Sequence, residues 1–381
     1  MLKIQSFPPL ARTACTIALT FAPAVAFADS FTQTNLVSNV PGLAATTDPN
    51  LVNPWGVSFS ATSPFWVSNQ GSGNATLYDG AGNITPLVVA IPGSSTPPSG
   101  PTGQVFNNST GFSIGKGTAA TFIFDTLNGT IAAWNGAQGT TAVTQVTTPG
   151  AVYTGLTQAT AGGSTFLYAA NSAGNIQVFD SNWNNVTATT FAGKFTDPNL
   201  PAGLVPFNVQ TIGGNLYVTY ANLGPGGTPL PGGVVDEYTS SGTFIGRIAT
   251  NGPLAAPWGI VMAPGGFGAF SNDLLIGNFG DGEIDVYNPT TDAFLGTIDG
   301  SNGQPLVNDF LWSLETRTGG ANDNTDAVYF TAGINDQTDG LFGEITETTP
   351  EPATIFGTAT GLIALALSKF RFNRLSRSQQ G

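Results

Sequence analysis

The sequence predicts an all-β fold, a six-bladed β-propeller, and three observations support this prediction. The 381 residues include 50 glycines and 26 prolines but only 9% charged residues, a composition typical of many short strands joined by turns. A hairpin signature, in which a turn glycine leads into a strand that ends on a large side chain, recurs six times. Further strand candidates surround each copy, so that each repeat can form one small sheet. A β-sandwich and two tandem β-domains are the alternatives.

The hairpin signatures define the repeat. Their glycines lie 45 to 59 residues apart, which leaves room for about four strands of five or six residues with their loops. These glycines are Gly73, Gly129, Gly174, Gly233, Gly282 and Gly340. An apolar run precedes each one, and continuous apolar runs indicate strands that are buried on both faces. These runs are residues 65–67, 122–124, 166–168, 216–218, 274–276 and 328–330.

A segment of small and aromatic residues comes earlier in each repeat. We interpret it as the innermost strand of a blade, because strands that converge on a central axis need small residues. The small residues are Gly56, Gly111, Gly155, Asn208, Gly259 and Ser313. An outer strand is predicted after each of the first five signatures, at residues 86–91, 141–146, 186–191, 243–248 and 293–298.

The sixth repeat lacks an outer strand, which would leave a free sheet edge. Residues 32–40 form an unassigned strand near the start of the body. We therefore expect this N-terminal strand to complete the sixth blade and to close the ring.

Charge and composition exclude several functions. The chain has a formal net charge of −13, and residues 29–352 contain all 23 acidic residues but only four basic ones. Phosphate backbones repel such a body, so nucleic acid is not a predicted partner. The absence of histidine from the sequence excludes an imidazole base and a His-ligated zinc, iron or copper site.

Residues 1–28 have the pattern of a secretory signal peptide. Lys3 and Arg12 precede an apolar run, and Ala26 and Ala28 form a small-residue cleavage site. An N-terminal membrane anchor is the alternative, although the run is short for a bilayer of roughly 30 Å. A lipoprotein is a weaker alternative, because the apolar run follows Cys15 instead of preceding it.

Residues 350–381 combine a short motif, an apolar stretch and a basic tail. The motif is Pro350, Glu351 and Pro352, the stretch is residues 353–368, and the tail contains Arg371, Arg374 and Arg377. Such a stretch can just cross a thin bilayer as a transmembrane helix. The order of the three features resembles the PEP-CTERM sorting signal of Gram-negative and cyanobacterial surface proteins. The resemblance implies transient insertion in the inner membrane and processing by an exosortase. A plain C-terminal membrane anchor is the alternative, and both interpretations place the body outside the cytoplasm, at the cell envelope surface or in the extracellular space.

Residues 29–349 resemble a family of uncharacterised exported bacterial proteins that often carry PEP-CTERM tails. Residues 34–37, Thr-Asn-Leu-Val, and residues 48–56, Asp-Pro-Asn-Leu-Val-Asn-Pro-Trp-Gly, carry this resemblance. The body is more distantly similar to NHL-type propellers. These resemblances imply a six-bladed propeller and leave its activity open.

Candidate ligand-binding residues follow the apolar strands at equivalent turns, because propellers bind ligands where loops from several blades meet. They are Asn69, Asp125, Asn171, Tyr220 and Asn278. For each of them, a turn residue that satisfies local backbone groups is the alternative. Trp55, Trp258 and Trp312 also recur, and we interpret them as packing between blades and not as a platform for carbohydrate stacking.

Two acidic loops offer oxygen ligands for calcium. One contains Asp323 and Asp326, and the other contains Asp336 and Asp339. Neither has EF-hand spacing, and solvated loops are the alternative. The sequence therefore predicts no cofactor, with calcium as the alternative.

The predicted function is that of a noncatalytic binding or structural module that is sorted to the cell surface and binds exopolysaccharide or a surface protein. A calcium-dependent lactonase or esterase is the alternative, because six-bladed propellers include such hydrolases. That activity requires oxygens that converge on one ion and an Asp or Glu as base, and the sequence selects no catalytic residue. Three or more oxygens from different blades around one point would favour the enzyme, whereas an apolar or plugged channel would disfavour it.

Overall fold

Six β-sheets form a closed ring in the computed structural model, which describes residues 30–93, 99–115 and 117–348. The prediction of an all-β six-bladed propeller is confirmed. The predicted signal peptide and the sorting segment at residues 350–381 lie outside the described residues. Within the described ranges, no helix is long and apolar enough to cross a bilayer.

The strands follow the repeat order along the chain. The first two, β1 (Ser30–Ser38) and β2 (Thr46–Thr47), belong to the last blade. Blade 1 consists of β3 (Pro54–Ser58), β4 (Phe65–Asn69), β5 (Asn74–Tyr78) and β6 (Ile84–Ala90). Blade 2 begins with β7 (Pro101–Phe106), is interrupted by a hairpin of β8 (Ser113–Ile114) and β9 (Thr118–Ala119), and continues with β10 (Phe122–Thr126), β11 (Thr130–Trp134) and β12 (Val143–Thr147).

The remaining blades complete the ring. Blade 3 consists of β13 (Tyr153–Ala161), β14 (Ser164–Asn171) and β15 (Ile176–Asp180). Blade 4 consists of β16 (Val205–Ile212), β17 (Asn215–Ala221), β18 (Val234–Thr239) and β19 (Phe244–Thr250). Blade 5 consists of β20 (Pro257–Met262), β21 (Leu274–Asn278), β22 (Ile284–Tyr287) and β23 (Phe294–Thr297). Blade 6 consists of β24 (Leu311–Glu315), β25 (Val328–Ala332), β26 (Leu341–Thr348), β1 and β2.

The N-terminal strand closes the ring, as predicted. β1 pairs antiparallel with β26 along its whole length, from Ser30 opposite Thr348 to Ser38 opposite Leu341. This pairing satisfies the edge of β26 that would otherwise be free. The first and last described strands are therefore neighbours in one sheet.

The predicted inner strand of blade 2 was wrong. The inner strand is β7, and Gly111 lies in the loop that leads to the β8–β9 hairpin. Gly103 of β7 is the small residue at the axis, because a Cβ there would collide with the backbone of Leu156 in blade 3. The inserted hairpin lengthens this repeat, so that the expected spacing pointed to the wrong glycine.

The predicted outer strand of blade 3 was also wrong, and blade 3 has three strands. The Val186 amide donates to the Val178 carbonyl, and the Val178 amide donates to Thr187 Oγ1, both at 2.8 Å. The chain then turns back on itself, since the Phe191 amide donates to the Val186 carbonyl. Residues 186–191 thus satisfy part of the β15 edge without continuing as a strand.

The hydrophobic core lies between neighbouring blades. All five residues are buried in β4, β10, β21 and β25, the second strands of four blades. This agrees with the double-sided burial that the apolar runs predict. The inner strands approach one another closely, because a Cβ on Gly56 would lie 2.6 Å from the Thr102 carbonyl oxygen in blade 2. Gly155 and Gly259 meet the inner strands of the next blades in the same way.

Candidate functional site

The six inner strands, β3, β7, β13, β16, β20 and β24, surround a central channel. We call the end where these strands begin the first mouth, and the end where they finish the second mouth. The turns after the second strands lie at the first mouth, because β4 pairs antiparallel with β3 and brings Asn69 opposite Pro54. Equivalent pairings hold in blades 3, 4 and 5.

An aromatic cluster plugs the channel at the first mouth. Trp55 and Trp312 stack with ring centroids 3.4 Å apart, and Phe279 stacks on Trp312 at 4.2 Å. Trp258 packs edge-on against both tryptophans, and Phe207 contacts Trp312. None of these five side chains is more than 5% exposed. The recurring tryptophans therefore pack against one another between blades, as interpreted, and Trp55 and Trp312 also reach the lining of a cavity in front of the plug.

A cavity of about 650 Å³ lies in front of this plug, and we call it the vestibule. The plug forms its floor with Trp55, Phe207, Phe279 and Trp312. Its walls are apolar side chains, neutral polar side chains and glycines of two loops. They are Leu127, Val152, Val205 and Leu223, then Gln70, Thr154, Ser172 and Gln337, and finally Gly203, Gly224, Gly226 and Gly227. No ionisable side chain belongs to this lining in the described part of the chain.

The five predicted ligand-binding residues lie at the expected turns, but none of them lines the vestibule. All are at most 6% exposed. Asn69 Nδ2 donates to Asn74 Oδ1 at 2.8 Å and to Thr76 Oγ1 at 2.9 Å. Asn171 Oδ1 accepts from the backbone amides of Val152 and Ala173. Local hydrogen bonds therefore hold both side chains, although Asn69 Oδ1 is buried without a partner.

The other three predicted residues also contact their own or neighbouring strands. Asn278 Oδ1 accepts from the Ala255 amide at 3.0 Å, and its Nδ2 donates to Asp285 at 2.9 Å. The hydroxyls of Tyr220 and Tyr238 lie 2.9 Å apart. Asp125 has one carboxyl oxygen held by Thr102 Oγ1 and the Gly103 amide, at 2.8 and 2.7 Å.

Asp125 is an acid inside the protein core. Burial raises its pKa to about 7, although the hydrogen bonds from Thr102 and Gly103 act in the opposite direction. Its second carboxyl oxygen is buried and has no hydrogen-bond partner. The carboxyl joins two strands of blade 2 and does not reach the described cavities of the channel.

The predicted calcium residues do not converge on one point. Asp323 forms an ion pair with Arg317 at 3.0 Å, and Asp339 accepts from Asn39 and Asn335. Asp326 and Asp336 are exposed. Among the described residues, no group of three or more His, Cys, Asp or Glu side chains is placed to hold a metal ion.

The waist of the channel is nearly filled. Its cavity measures about 10 Å³, which is room for about one water molecule, and Gly56, Gly103 and Gly259 are in its wall. The two mouths are therefore separate sites.

A second cavity, of about 250 Å³, lies at the second mouth and contains an acid that the sequence analysis missed. Glu315, at the end of β24, is the only charged residue on the six inner strands, all of which are fully described. Burial raises the pKa of its carboxyl to about 8, although a hydrogen bond from Gln210 opposes this shift. The residue as a whole is only partly buried, because it lines this cavity. An acid at the end of an otherwise uncharged inner strand is the signal that could have identified it.

Comparison with known proteins gives relatives and a fold. The chain is 31% identical over 325 residues to the uncharacterised protein R648 of Acanthamoeba polyphaga mimivirus, a match that covers 81% of this chain and 78% of the relative. It is also 31% identical over 325 residues to the uncharacterised protein L690 of the same virus, covering 81% and 84%. No protein-family model matches the chain. These relatives are viral, and neither name refers to a sorting signal.

The solved structure of streptogramin B lyase is similar to this propeller, with a TM-score of 0.50 and 13% sequence identity. The similarity covers 84% of this chain and 98% of the lyase chain. At this identity, the likeness shows the fold alone.

Proposed function

The chain belongs to the same family as the uncharacterised mimivirus proteins R648 and L690, and from the geometry of its channel we propose that it is a noncatalytic binding module. The vestibule is the proposed binding site. Its ligand is a neutral molecule with apolar faces and a few hydrogen-bonding groups, such as a segment of a neutral exopolysaccharide.

The observation that carries this proposal is the chemistry of the vestibule lining. The described part of that lining combines an aromatic floor with neutral amide and hydroxyl side chains and has no ionisable group. Small-molecule sites typically have such mostly apolar walls with a few polar groups, and their volumes of roughly 300–1,000 Å³ include that of the vestibule. Acid–base hydrolysis needs a titratable side chain within hydrogen-bond reach of the substrate. The lining therefore favours binding over hydrolysis.

We propose in addition that the propeller is exported and sorted to the cell surface. The support is the sequence pattern alone: the cleavage site at Ala26 and Ala28, and the order of motif, apolar stretch and basic tail in residues 350–381. An exosortase-type enzyme is the proposed processing partner.

A calcium-dependent hydrolase is the competing proposal. It would use an ion held by oxygens at a channel mouth and an Asp or Glu as base. Glu315 is the only acid on the inner strands, and it lies at the mouth opposite the vestibule. One carboxyl is weak support for a hydrolase. The neutral lining of the vestibule is stronger support for a binding module.

A binding experiment with matched variants tests the proposal. Residues 29–349 contain the whole closed ring and can be titrated with neutral oligosaccharides while tryptophan fluorescence is recorded, since Trp55 and Trp312 form the floor. Leu223→Ala removes half-buried apolar surface from the vestibule wall. We expect this variant to weaken binding roughly fivefold, because the lost contact is worth about 1 kcal/mol.

Leu295→Ala is the control, because Leu295 is 44% exposed on the outer strand β23, away from the channel. Equal affinities of wild type and Leu223→Ala would contradict binding in the vestibule. Calcium-dependent breakdown of an ester or lactone that a chelator abolishes would favour the hydrolase instead.

A further inference from the structure

The cavity at the second mouth has a different chemical character from the vestibule, and we call it the Glu315 pocket. Apolar walls surround a group of polar side chains contributed by several blades. The walls include Val57, Phe59, Val105, Phe106 and Leu156, and the polar group includes Ser58, Gln104, Gln210 and Glu315. Its volume of about 250 Å³ suits a molecule of a few heavy atoms.

Two residues that line this pocket each carry a buried polar atom without a hydrogen-bond partner. Gln104 is only 5% exposed, and its Nε2 donates to the carbonyls of Gly56 and Trp66, both at 2.7 Å. Its Oε1 is buried without a partner, as is Ser58 Oγ. Buried polar atoms in folded proteins are nearly always satisfied, so these two atoms have unused capacity to accept a hydrogen bond.

Glu315 also lacks a cationic partner among the described residues. Arg317, two residues along the chain, forms its ion pair with Asp323 and donates to the Ser63 carbonyl. Arg247 forms its ion pairs with Asp197 and Asp236 in the region of blade 4. No cation of the described residues therefore stabilises the ionised form of Glu315, and a positively charged ligand would do so.

We propose that the Glu315 pocket binds a small primary ammonium ion with an alkyl tail. A primary ammonium has three N–H donors and no acceptor. The residues that line the pocket offer three oxygens as acceptors: the carboxyl of Glu315 in blade 6, Gln104 Oε1 in blade 2 and Ser58 Oγ in blade 1. The apolar walls then contact the alkyl tail. A calcium ion fits less well, because it takes six to eight oxygen ligands and usually several carboxylates, whereas this pocket has one.

The titration of Glu315 provides a signature of this binding. Without a cation, burial keeps much of the carboxyl protonated at neutral pH, since its pKa is about 8. An ammonium ion favours the ionised form, so binding below pH 8 releases a proton. Affinity should therefore rise between pH 6.5 and 8.5 by roughly tenfold or more.

Other titratable groups near Glu315 do not produce this signature. Tyr329 lies opposite Glu315 on β25, with its pKa raised to about 12 by burial. Arg317 stays charged throughout this range. The neighbouring inner strands β3, β7, β13, β16 and β20 contribute no acidic or basic side chain. Their one ionisable side chain is Tyr153 of β13, which lies at the first mouth and whose pKa burial raises to about 12.

Calorimetry with n-butylammonium chloride tests the proposal on residues 29–349. We expect wild type to bind this probe at pH 8.5, with proton release that appears as a buffer-dependent heat at pH 7. 1-Butanol lacks the charge and tetramethylammonium lacks the N–H donors, so neither should bind. Glu315→Gln should abolish binding, and Asp336→Asn, at an exposed acid, should leave it unchanged.

Several results would overturn the proposal. They are no binding of butylammonium to wild type, equal binding to Glu315→Gln, or equal binding of tetramethylammonium. Saturable binding of calcium without any binding of butylammonium would also overturn it and would support a metal site. If Glu315→Gln failed to fold, two measurements on wild type would still test whether the pocket binds a primary ammonium ion. They are the pH dependence of butylammonium binding and the comparison with tetramethylammonium.

Discussion

Several acidic residues of this propeller have strongly raised pKa values because their carboxyl groups are buried. Burial raises the pKa of Asp125 to about 7, that of Asp285 to about 6 and that of Glu315 to about 8. A buried acid is more stable in its neutral form, and folding therefore opposes its ionisation. These acids lower the stability of the fold as the pH rises.

Glu315→Gln should stabilise the propeller at alkaline pH but not at acid pH. The pKa of Glu315 is about 8 in the folded protein and 4.5 as the ordinary value, so the wild type loses stability as the pH rises from about 4.5 to 8. Glutamine does not titrate. We expect equal stability at pH 4 and a gain on the order of 1–3 kcal/mol for the variant at pH 8.

Urea unfolding in an amine-free buffer at both pH values measures this difference, with Asp336→Asn as the exposed control. A variant that is less stable than wild type at pH 8 would contradict the assignment of a buried, destabilising carboxyl.

The sequence predicted the positions of the turn residues but not their environment. Asn69 and Asn278 lie at equivalent turns, as expected, yet both side chains are buried and bonded to their own blades. Repeat spacing locates a residue along the chain and does not tell which way its side chain faces. Glu315 does not stand out in such a comparison of turns, because it is the last residue of an inner strand.

At the level of elements, the hairpin glycines determine where the third strands begin. Gly282 precedes β22 with φ = +76°, a backbone conformation that residues other than glycine rarely adopt. A Cβ there would collide with the backbone of Asn308 in the next loop. Both conformation and space therefore require glycine.

Gly282→Val should destabilise the propeller by about 2–4 kcal/mol, because it combines backbone strain with a backbone collision. Gly246→Val is the control, since Gly246 lies on the outer strand β19 without positive φ and an added Cβ there would meet no atom within 4 Å. Guanidinium unfolding midpoints compare the two variants. An unchanged midpoint for Gly282→Val would show that the turn is not built as described.

Two elements could not be predicted from spacing. The β8–β9 hairpin inserts between the first two strands of blade 2, and an inserted hairpin looks like a lead-in strand in sequence. In blade 3, Phe191 packs against Phe166 and Tyr168, which pulls residues 186–191 out of a strand path. Of residues 186–191 only Phe191 is fully buried, while residues 188–190 are exposed.

At the level of the whole molecule, β1 and β26 hold the ring closed. Their pairing joins residues more than 300 positions apart in sequence, such as Thr32 opposite Thr346. The only cysteine, Cys15, precedes the ring, so an engineered disulfide in residues 29–349 has no competing thiol.

Thr32→Cys combined with Thr346→Cys should oxidise to an intramolecular disulfide, because directly opposed strand residues have the Cα separation that the bond requires. Closing so long a loop should stabilise the fold by up to about 5 kcal/mol. Gel mobility without reductant and thermal unfolding measure both effects. Thr32→Cys with Glu347→Cys places the second thiol one residue out of register, and efficient oxidation of this control pair in place of the first would contradict the β1–β26 register.

The most direct test of binding in the vestibule is methyl NMR of leucine-labelled residues 29–349 during titration with a neutral oligosaccharide that binds. The account predicts that the methyl signals of Leu127 and Leu223, which line the vestibule, shift with ligand concentration while that of Leu295 on β23 does not. Shifts at Leu295 with unchanged signals at Leu127 and Leu223 would contradict it.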